Sequence, residues 1–181
     1  SLHSRWSAAL DRVLAADASH DTELTEIQTV LRAWDRRSTS DSTGAALGNL
    51  TIFPLYNARL HGAPQPDPIG AARDAAHYLR QHFGRLDPPW GDVLRLRRGN
   101  VDVPLEGGPD TLRAFRWHED PDGKLNADFG DGLMMVMDWA PDHTFSARII
   151  HQWGASNHPD NPHYNDQSPL FARHEWRTAD W

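Results

Sequence analysis

Residues 133–153 read LMMVMDWAPDHTFSARIIHQW, and no other part of the chain indicates β-structure as strongly. Two apolar runs, 133–139 and 145–153, lie on either side of a Pro-Asp-His tripeptide that is typical of a tight turn. This pattern predicts an antiparallel hairpin. Each run contains two adjacent apolar residues, a Met-Met pair in the first and an Ile-Ile pair in the second, so apolar groups point to both sides. We therefore expect a hairpin with at least one buried face, from a sheet that is covered on both faces in a complete protein. In an isolated fragment, one face or edge of the hairpin should lack this cover.

Shorter elements are predicted on either side of this hairpin. Upstream, residues 90–96 predict one short helical turn. The alternating stretch 101–105 predicts a strand, and residues 111–117 are a candidate for a second one. The first of these strands ends at Gly107-Gly108-Pro109, and the DPDG sequence after the second is a turn by composition. Downstream, residues 169–176 predict a last short helix or an extended arm.

The first half of the chain predicts four helices, because apolar residues recur there every three or four positions. The four apolar stripes are Leu2, Trp6, Leu10, Val13 and Leu14; Leu24, Ile27, Leu31 and Trp34; Leu47, Leu50 and Phe53; and Ile69, Ala72, Ala76, Leu79 and Phe83.

Capping residues predict where these helices begin and end. Asp21 or Thr22 is expected to cap the second helix, and Asp41 or Ser42 the third. Pro54 lies inside the third stripe and is expected to kink or split that helix. For the fourth helix we expect Asp67 as N-cap, Pro68 at the first helical position and Gly84 at the end.

The order of elements predicts an α+β fold in which helices cover an antiparallel sheet. We expect a helical segment over 1–88 and a strand-rich segment over 89–181, together forming one structural unit. A two-stranded hairpin is marginally stable by itself. The predicted hairpin is therefore expected to pair with strands of a partner chain.

Composition excludes several classes of function. The 181 residues carry a net charge of −7, from 18 basic and 25 acidic residues, which argues against a nucleic-acid partner because phosphate binding needs a basic face. The absence of cysteine excludes disulfides, zinc thiolate sites and cysteine nucleophiles. No apolar run reaches the roughly 18 residues that a membrane-spanning helix requires.

The last third of the chain carries a resemblance to a known family. RLRRGNVDVPL over 95–105 leads to Gly107-Gly108-Pro109-Asp110-Thr111, and the predicted hairpin is followed by PHYNDQ over 162–167, with Leu170-Phe171 and Trp176 beyond. In order and spacing this resembles the C-terminal end of the β chain of the penicillin acylase family, N-terminal-nucleophile hydrolases that cut amides. Residues 31–47 resemble the segment that precedes it there. The tail leans toward the acyl-homoserine-lactone and aculeacin acylase branch.

The resemblance implies a fold, a reaction and a set of partners. The fold would be a C-terminal portion of the αββα architecture, and the reaction hydrolysis of a linear C–N amide through a serine acyl-enzyme, without a cofactor. The partners would be the α chain, the N-terminal part of the β chain and a small acylated amide as substrate. A periplasmic or secreted location is implied as well, and antibiotic metabolism or quorum quenching as the biological setting.

The nucleophilic serine of this family is the first residue of the β chain, which makes Ser1 a candidate. Its surroundings argue against it, because Leu2 and His3 follow within a predicted helix and the resembling region lies far downstream of the nucleophile. We therefore expect no catalytic residue in this segment, which would act as scaffold and pocket wall of a larger acylase. The alternatives are a stand-alone binding or structural domain without catalysis, and a miniature N-terminal-nucleophile enzyme that uses Ser1.

Two groups of residues near the end of the chain are candidates for a metal site and a catalytic triad. His158, Asp160, His163 and Asp166 could be drawn as a metal site, but their spacing matches no ligand pattern, so a hydrogen-bonded loop is expected and no metal. In that loop we expect Tyr164, Asp166 and Gln167 to hold the tail to neighbouring backbone. Ser156 with His158 and Asp160 is not expected to form a triad, because no Gly-x-Ser-x-Gly elbow is present.

Three further motifs have ordinary structural interpretations. Met134, Met135 and Met137 are expected to be plain core, and an adaptable acyl-chain pocket is the alternative. Gly107-Gly108-Pro109 is expected to be a turn, since no lysine or helix start follows as a phosphate loop would need. Arg95, Arg97 and Arg98 are expected to be surface ion-pair partners.

Overall fold

The computed structural model describes residues 4–179, so the predictions for Ser1 and Leu2 lie outside the described residues. Helices α1 (Ser4–Ala15), α2 (Thr22–Ala33), α3 (Ala45–Leu60) and α4 (Pro68–Phe83) make up the first half. None of the described helices has both the length and the apolar character to cross a lipid bilayer.

The predicted boundaries of α2 and α4 are confirmed. The carboxylate of Asp21 accepts a hydrogen bond from the N–H of Leu24 at 2.9 Å. Asp67 accepts in the same way from Ile69 and Gly70, with Pro68 as the first helical residue. Gly84 ends α4 with a φ of +70°, the left-handed conformation that favours glycine.

The prediction for the start of α3 is wrong. The helix begins at Ala45 after Gly44, without a side-chain cap, and neither Asp41 nor Ser42 caps it. The backbone before it is engaged elsewhere, because the carbonyl of Ser42 accepts from the N–H of Trp90 at 3.0 Å. The prediction that Pro54 splits this helix is also wrong, because α3 continues past Pro54, which lies at an exposed position.

A four-stranded sheet follows the one-turn helix α5 (Trp90–Val93). Its strands are β1 (Leu94–Arg98), β2 (Val101–Pro104), β3 (Phe115–Glu119) and β4 (Leu125–Gly130), in the order β2-β1-β4-β3. The expected all-antiparallel pairing is wrong for this sheet. It consists of two antiparallel hairpins joined through a parallel β1–β4 pair, so the sheet is mixed.

A second, antiparallel sheet contains the predicted hairpin. Strands β5 (Leu133–Trp139) and β6 (Phe145–His151) pair in the register Leu133↔His151 to Trp139↔Phe145. Helix α6 (Ser168–Ala172) and the two-residue strand β7 (Arg177–Thr178) follow, and β7 pairs with β6. The chain therefore supplies a third strand to the hairpin, and the fold class is α+β as predicted.

The hairpin has one partly covered face and one exposed face, which agrees with the expectation of at least one buried face and of a face without its cover. Side chains at alternate positions of β5 share one face, and on that face Met135, Met137 and Trp139 are 37%, 45% and 69% exposed. The opposite face is partly covered, because Ile150 is fully buried and Met134 packs against the core. Met135 and Met137 are therefore not the plain core that the sequence predicted.

The core lies between the helices and the four-stranded sheet. The ring of Phe53 on α3 stacks on Trp117 of β3 at 4.4 Å between centroids. The hydroxyl of Tyr78 on α4 donates to the carbonyl of Gly123 in the β3–β4 turn at 2.8 Å. Burial raises the pKa of that hydroxyl, so it remains a donor at neutral pH. Phe171 of α6 is fully buried and makes an edge contact with Phe115, so the tail closes the core.

Candidate functional site

The Gly107-Gly108-Pro109 motif forms a turn whose backbone joins three parts of the chain. Gly107 has a φ of +95°, and a Cβ there would come within 2.3 Å of the carbonyl oxygen of Arg113. Its N–H donates to the carbonyl of Ser38 at 2.8 Å, and its own carbonyl accepts from the indole N–H of Trp90 at 2.8 Å. Only glycine meets both the conformation and the close approach.

Residues 110–113 extend this turn into a compact loop. The hydroxyl of Thr111 lies 2.6 Å from the carbonyl of Arg113 and 3.1 Å from the N–H of Gly108. Asp110 has a φ of +56° and accepts a 2.8 Å hydrogen bond from the indole of Trp6 on α1. The loop is therefore held to the first helix as well as to itself.

The second motif, PHYNDQ over 162–167, ties the end of β6 to the β1–β2 turn. The buried Gln167 accepts from the N–H of His151 at 3.0 Å, and its own N–H donates to the carbonyl of Trp153. The Asn165 amide donates to the carbonyl of Arg98 at 2.7 Å. Of the expected locking residues, Asp166 contacts His163 at 2.9 Å within the loop.

The arginines of β1 divide into two groups. Arg95 and Arg97 form ion pairs, as predicted: Arg95 with Asp102 at 2.6 Å, and Arg97 with Asp102, Asp120 and Asp122 at 2.7–3.1 Å. Arg98 instead contacts two aromatic rings. Its guanidinium lies over the rings of Tyr164 and Trp153 at 4.2 and 4.8 Å, a cation–π arrangement that joins the motif loop to the first sheet.

The residues considered above as a metal site and as a triad do not come together in the structure. Across residues 4–179 no group of three or more His, Asp or Glu side chains is placed to hold a metal ion. His163 pairs with Asp166, while His158 uses its backbone N–H to bond the hydroxyl of Ser156 at 3.1 Å. That contact gives Ser156 no imidazole base.

A cavity of about 670 Å³ lies between the second sheet and two loops, 36–39 and 106–113. Met134 and Ile150 from the covered face of the hairpin form one wall, and Phe171 and Trp176 from the tail form another. Leu112 stands at the rim and is 95% exposed. The Gly107 turn is part of the lining, so the Gly-Gly-Pro-x-Thr motif forms part of the cavity wall.

A polar cluster lies in the wall of this cavity. The carboxylate of Glu106 lies 2.7 Å from His174 Nε2 and 3.5 Å from Arg113 Nη1. Arg113 also donates to the carbonyl of Phe171 at 2.9 Å, and its cation lies 4.5 Å from the centroid of that ring. Its buried Nε has no acceptor among the described residues.

Burial is the main cause of the pKa shifts of Arg113 and Asp131. It lowers the pKa of Arg113, against the opposing charges of Glu106 and Asp131. It also raises the pKa of Asp131, which the positive charge of Arg113 counteracts. The sequence does not predict the cluster of Glu106, Arg113 and His174, because His174 is remote from the other two in the chain and the three residues follow no spacing rule. The local signals are the position of Glu106 directly before the Gly-Gly-Pro-x-Thr motif and that of Arg113 two residues after it.

Comparison with known proteins agrees with the resemblance. The family model for penicillin amidase matches residues 2–181. Two acyl-homoserine lactone acylases called PvdQ, from Pseudomonas fluorescens strains Pf-5 and Pf0-1, are 26% identical over 93 residues and 28% identical over 90 residues. These alignments cover 50% and 48% of the chain but only 12% and 11% of the two relatives. Because the family model matches nearly every residue, the chain belongs to the penicillin amidase family.

Proposed function

We propose that the chain is a structural part of an amide-hydrolysing acylase whose catalytic serine lies in another part of the enzyme. Family membership and the two relatives, which are acyl-homoserine lactone acylases, support a hydrolase that cuts a linear C–N amide. Between penicillin-type and N-acyl-homoserine-lactone-type substrates, the relatives favour the second. A periplasmic or secreted location belongs to the same proposal.

The exposed apolar face of the hairpin carries this proposal. We define this face as Leu133, Met135, Met137 and Trp139, which lie on the same side of β5 and are 37–69% exposed. The sheet order is β5-β6-β7, so the outer edge of β5 pairs with no strand among the described residues. An apolar face beside an open edge is where further strands or a covering layer would pack.

The remainder of the acylase is the occupant that we propose for this face. The aligned segment is about an eighth of the length of each relative, so a complete enzyme of this kind has ample chain to cover it. In that assembly the second sheet would extend a central sheet of the αββα type, and the helices would form an outer layer. The chain would then act as scaffold and pocket wall.

The chemistry would be that of an N-terminal serine in another part of the enzyme, not of Ser1. Its hydroxyl would attack the amide carbonyl while the α-amine of the same residue accepts the proton. As the C–N bond breaks, that proton would pass to the leaving amine and the acyl group would remain on the serine. Water would then hydrolyse the acyl-enzyme, with backbone or amide donors stabilising the oxyanion in both steps. The proposal assigns none of these groups to residues 4–179.

Two assays test the proposal. The isolated chain should release no product from N-decanoyl homoserine lactone, penicillin G or a chromogenic acyl anilide. Turnover that disappears in Ser1→Ala would instead establish a miniature N-terminal-nucleophile enzyme. Conversely, a tagged chain purified from its source without denaturation should bring amidase activity with it. Trp139→Asp should lower that activity, and Ser146→Asp on the opposite face of the hairpin should leave it unchanged.

A further inference from the structure

We propose that a separate cavity, formed by helices α3 and α4 and the four-stranded sheet, binds a small hydrophobic cation, an apolar body that carries one ammonium group. This helix–sheet cavity is defined by Phe53 of α3, Asp74 and Tyr78 of α4, and Trp117 and Glu119 of β3. It shares no lining residue with the cavity beside the second sheet. Its lining is aromatic and acidic, and binding there would not depend on whether the chain is part of an acylase.

The size and the apolar walls of the helix–sheet cavity suit a small molecule. Its volume of about 320 Å³ lies at the lower end of the range of about 300–1,000 Å³ that is typical of ligand sites. Leu50 and the buried Leu125 supply aliphatic surface from α3 and β4. Ala71 and Ala75 of α4 also line the cavity, and their short side chains leave room above the helix.

Three aromatic rings in the lining favour a cation over a neutral molecule. Phe53, Tyr78 and Trp117 all line the helix–sheet cavity, and aromatic rings attract cations, tryptophan most strongly. Phe53 stacks on Trp117 at 4.4 Å between centroids, and Trp117 makes an edge contact with the buried Trp90 at 5.6 Å. The rings therefore continue an aromatic cluster that begins in the core.

The charge of the lining also favours a cation. Asp74 and Glu119 are the charged side chains of the lining, and no arginine, lysine or histidine in the described part of the chain lines the helix–sheet cavity. Within residues 4–179, neither carboxylate pairs with an arginine or a lysine. The carboxylate of Glu119 lies 3.6 Å from His82 Nε2, a contact that becomes an ion pair only when the imidazole is protonated. Asp74 leaves its negative charge open to a ligand.

Tyr78 shows that the cavity is both fixed and negatively charged. Its hydroxyl donates to the carbonyl of Gly123 at 2.8 Å and so holds α4 to the β3–β4 turn. Burial raises the pKa of this hydroxyl, and the negative charges of Glu119 and Asp122 act in the same direction. A cation beside the ring would meet the same field with a favourable sign. Because the rings are already in place, a ligand would have little left to order, which favours binding.

Isothermal titration calorimetry of the full chain tests the proposal at low ionic strength and at pH 8, where an ordinary imidazole is neutral. Phenyltrimethylammonium should bind saturably with one site per chain. Benzenesulfonate has the same ring and a tetrahedral head of opposite charge, whereas tetramethylammonium has the charge without the ring. Each of these two probes should bind at least about tenfold more weakly than phenyltrimethylammonium.

Two surface variants locate the binding. Asp74→Asn and Glu119→Gln remove one charge each and nearly keep the shape, and both positions are exposed, so the fold should be retained. Each should weaken the binding of phenyltrimethylammonium about two- to fivefold, and the double variant about tenfold. Asp160→Asn is the matched control, because Asp160 is an exposed aspartate that does not line the cavity. Trp139→Asp controls for adsorption to the exposed face of the hairpin.

Neither control variant should change the affinity. Four results would overturn the proposal: no saturable binding of phenyltrimethylammonium, equal binding of benzenesulfonate, an unchanged affinity in the double variant, or an equal loss of affinity in either control. The first two would show that the cavity does not select a hydrophobic cation, and the last two would place the binding elsewhere on an acidic chain.

Discussion

The indole ring of Trp34 lies so close to Gly48 that a Cβ on this glycine would come within 2.0 Å of the ring atom Cζ3. A Cβ on Gly44, one turn earlier, would come within 2.3 Å of the Cβ of the same tryptophan. The end of α2 is thereby pressed against the first turns of α3. Since the Trp34 indole also bonds the carbonyl of Arg37, this contact positions the loop that borders the cavity.

Gly48→Ala should therefore destabilise the chain strongly. The added methyl would meet a rigid aromatic ring inside the core, so we expect the free energy of unfolding to fall by about 2–4 kcal/mol. Urea unfolding followed by circular dichroism measures the change. Gly70→Ala is the control, because the nearest atom to its Cβ would be 4.0 Å away on an exposed part of α4. That variant should be neutral or up to about 1 kcal/mol more stable. Equal stability of the two variants would contradict this packing.

Much of the helical half was predictable from sequence, because its signals are local. Asp21, Asp67 and Gly84 act within one turn of the helix ends that they cap, so the chain itself carries the information. The start of α3 was not predictable in this way. It depends on Trp34 and on a backbone hydrogen bond to Trp90, and both contacts are remote from Gly44 in sequence.

In the strands, too, features with local causes were predictable from the sequence and features with remote causes were not. The turn and register of the β5–β6 hairpin follow from local pattern, whereas the exposure of one face depends on what else is packed there. Strand β4, which lacks β-branched residues, was missed, and β1 was predicted as part of a helical turn. The polar cluster of Glu106, Arg113 and His174 is formed only by the tertiary fold.

Replacing Arg97 should lower the free energy of unfolding by an amount that depends on pH. The hydrogen bond from Arg97 is the main cause that lowers the pKa of Asp122. A carboxyl whose folded pKa lies below its unfolded value, about 3.9, stabilises the fold fully above that value and loses this effect as the pH falls through the folded pKa.

Arg97→Gln should accordingly cost about 1–2 kcal/mol at pH 7, a modest figure because the cluster is partly exposed. The difference in Tm between wild type and variant should narrow below about pH 4, where the carboxyls of the unfolded chain become protonated. Thermal melts from pH 2 to 7 give the comparison, with the exposed Arg12→Gln as control. A Tm difference that is constant with pH would refute this explanation.

Trp90→Phe should test the hydrogen bond that holds the Gly107 turn. The Trp90 side chain is fully buried, and its loss as a donor would leave the Gly107 carbonyl without this partner and open a small void. We expect a loss of about 2–4 kcal/mol in the free energy of unfolding. Trp139→Phe, at an exposed position, should change it by less than about 0.5 kcal/mol. Similar effects at both tryptophans would show that the Trp90 hydrogen bond is not important.

The exposed face of the hairpin should make the isolated chain self-associate. Multi-angle light scattering over a range of concentrations should show a mass that rises above 20.4 kDa. Trp139→Asp should shift the chain toward the monomer with little effect on Tm, because the side chain is exposed. Ser146→Asp adds the same charge to the opposite face and should leave the association unchanged. A wild-type chain that stays monomeric at every concentration would speak against this role of the face.

Native mass spectrometry of the protein purified from its source tests the central claim most directly, because an acylase scaffold must travel with its catalytic part. We predict that the chain is found in a complex with, or within, a larger polypeptide that carries other penicillin amidase sequence and hydrolyses amides. A free species of 20.4 kDa as the sole native form would contradict the account and support a stand-alone domain.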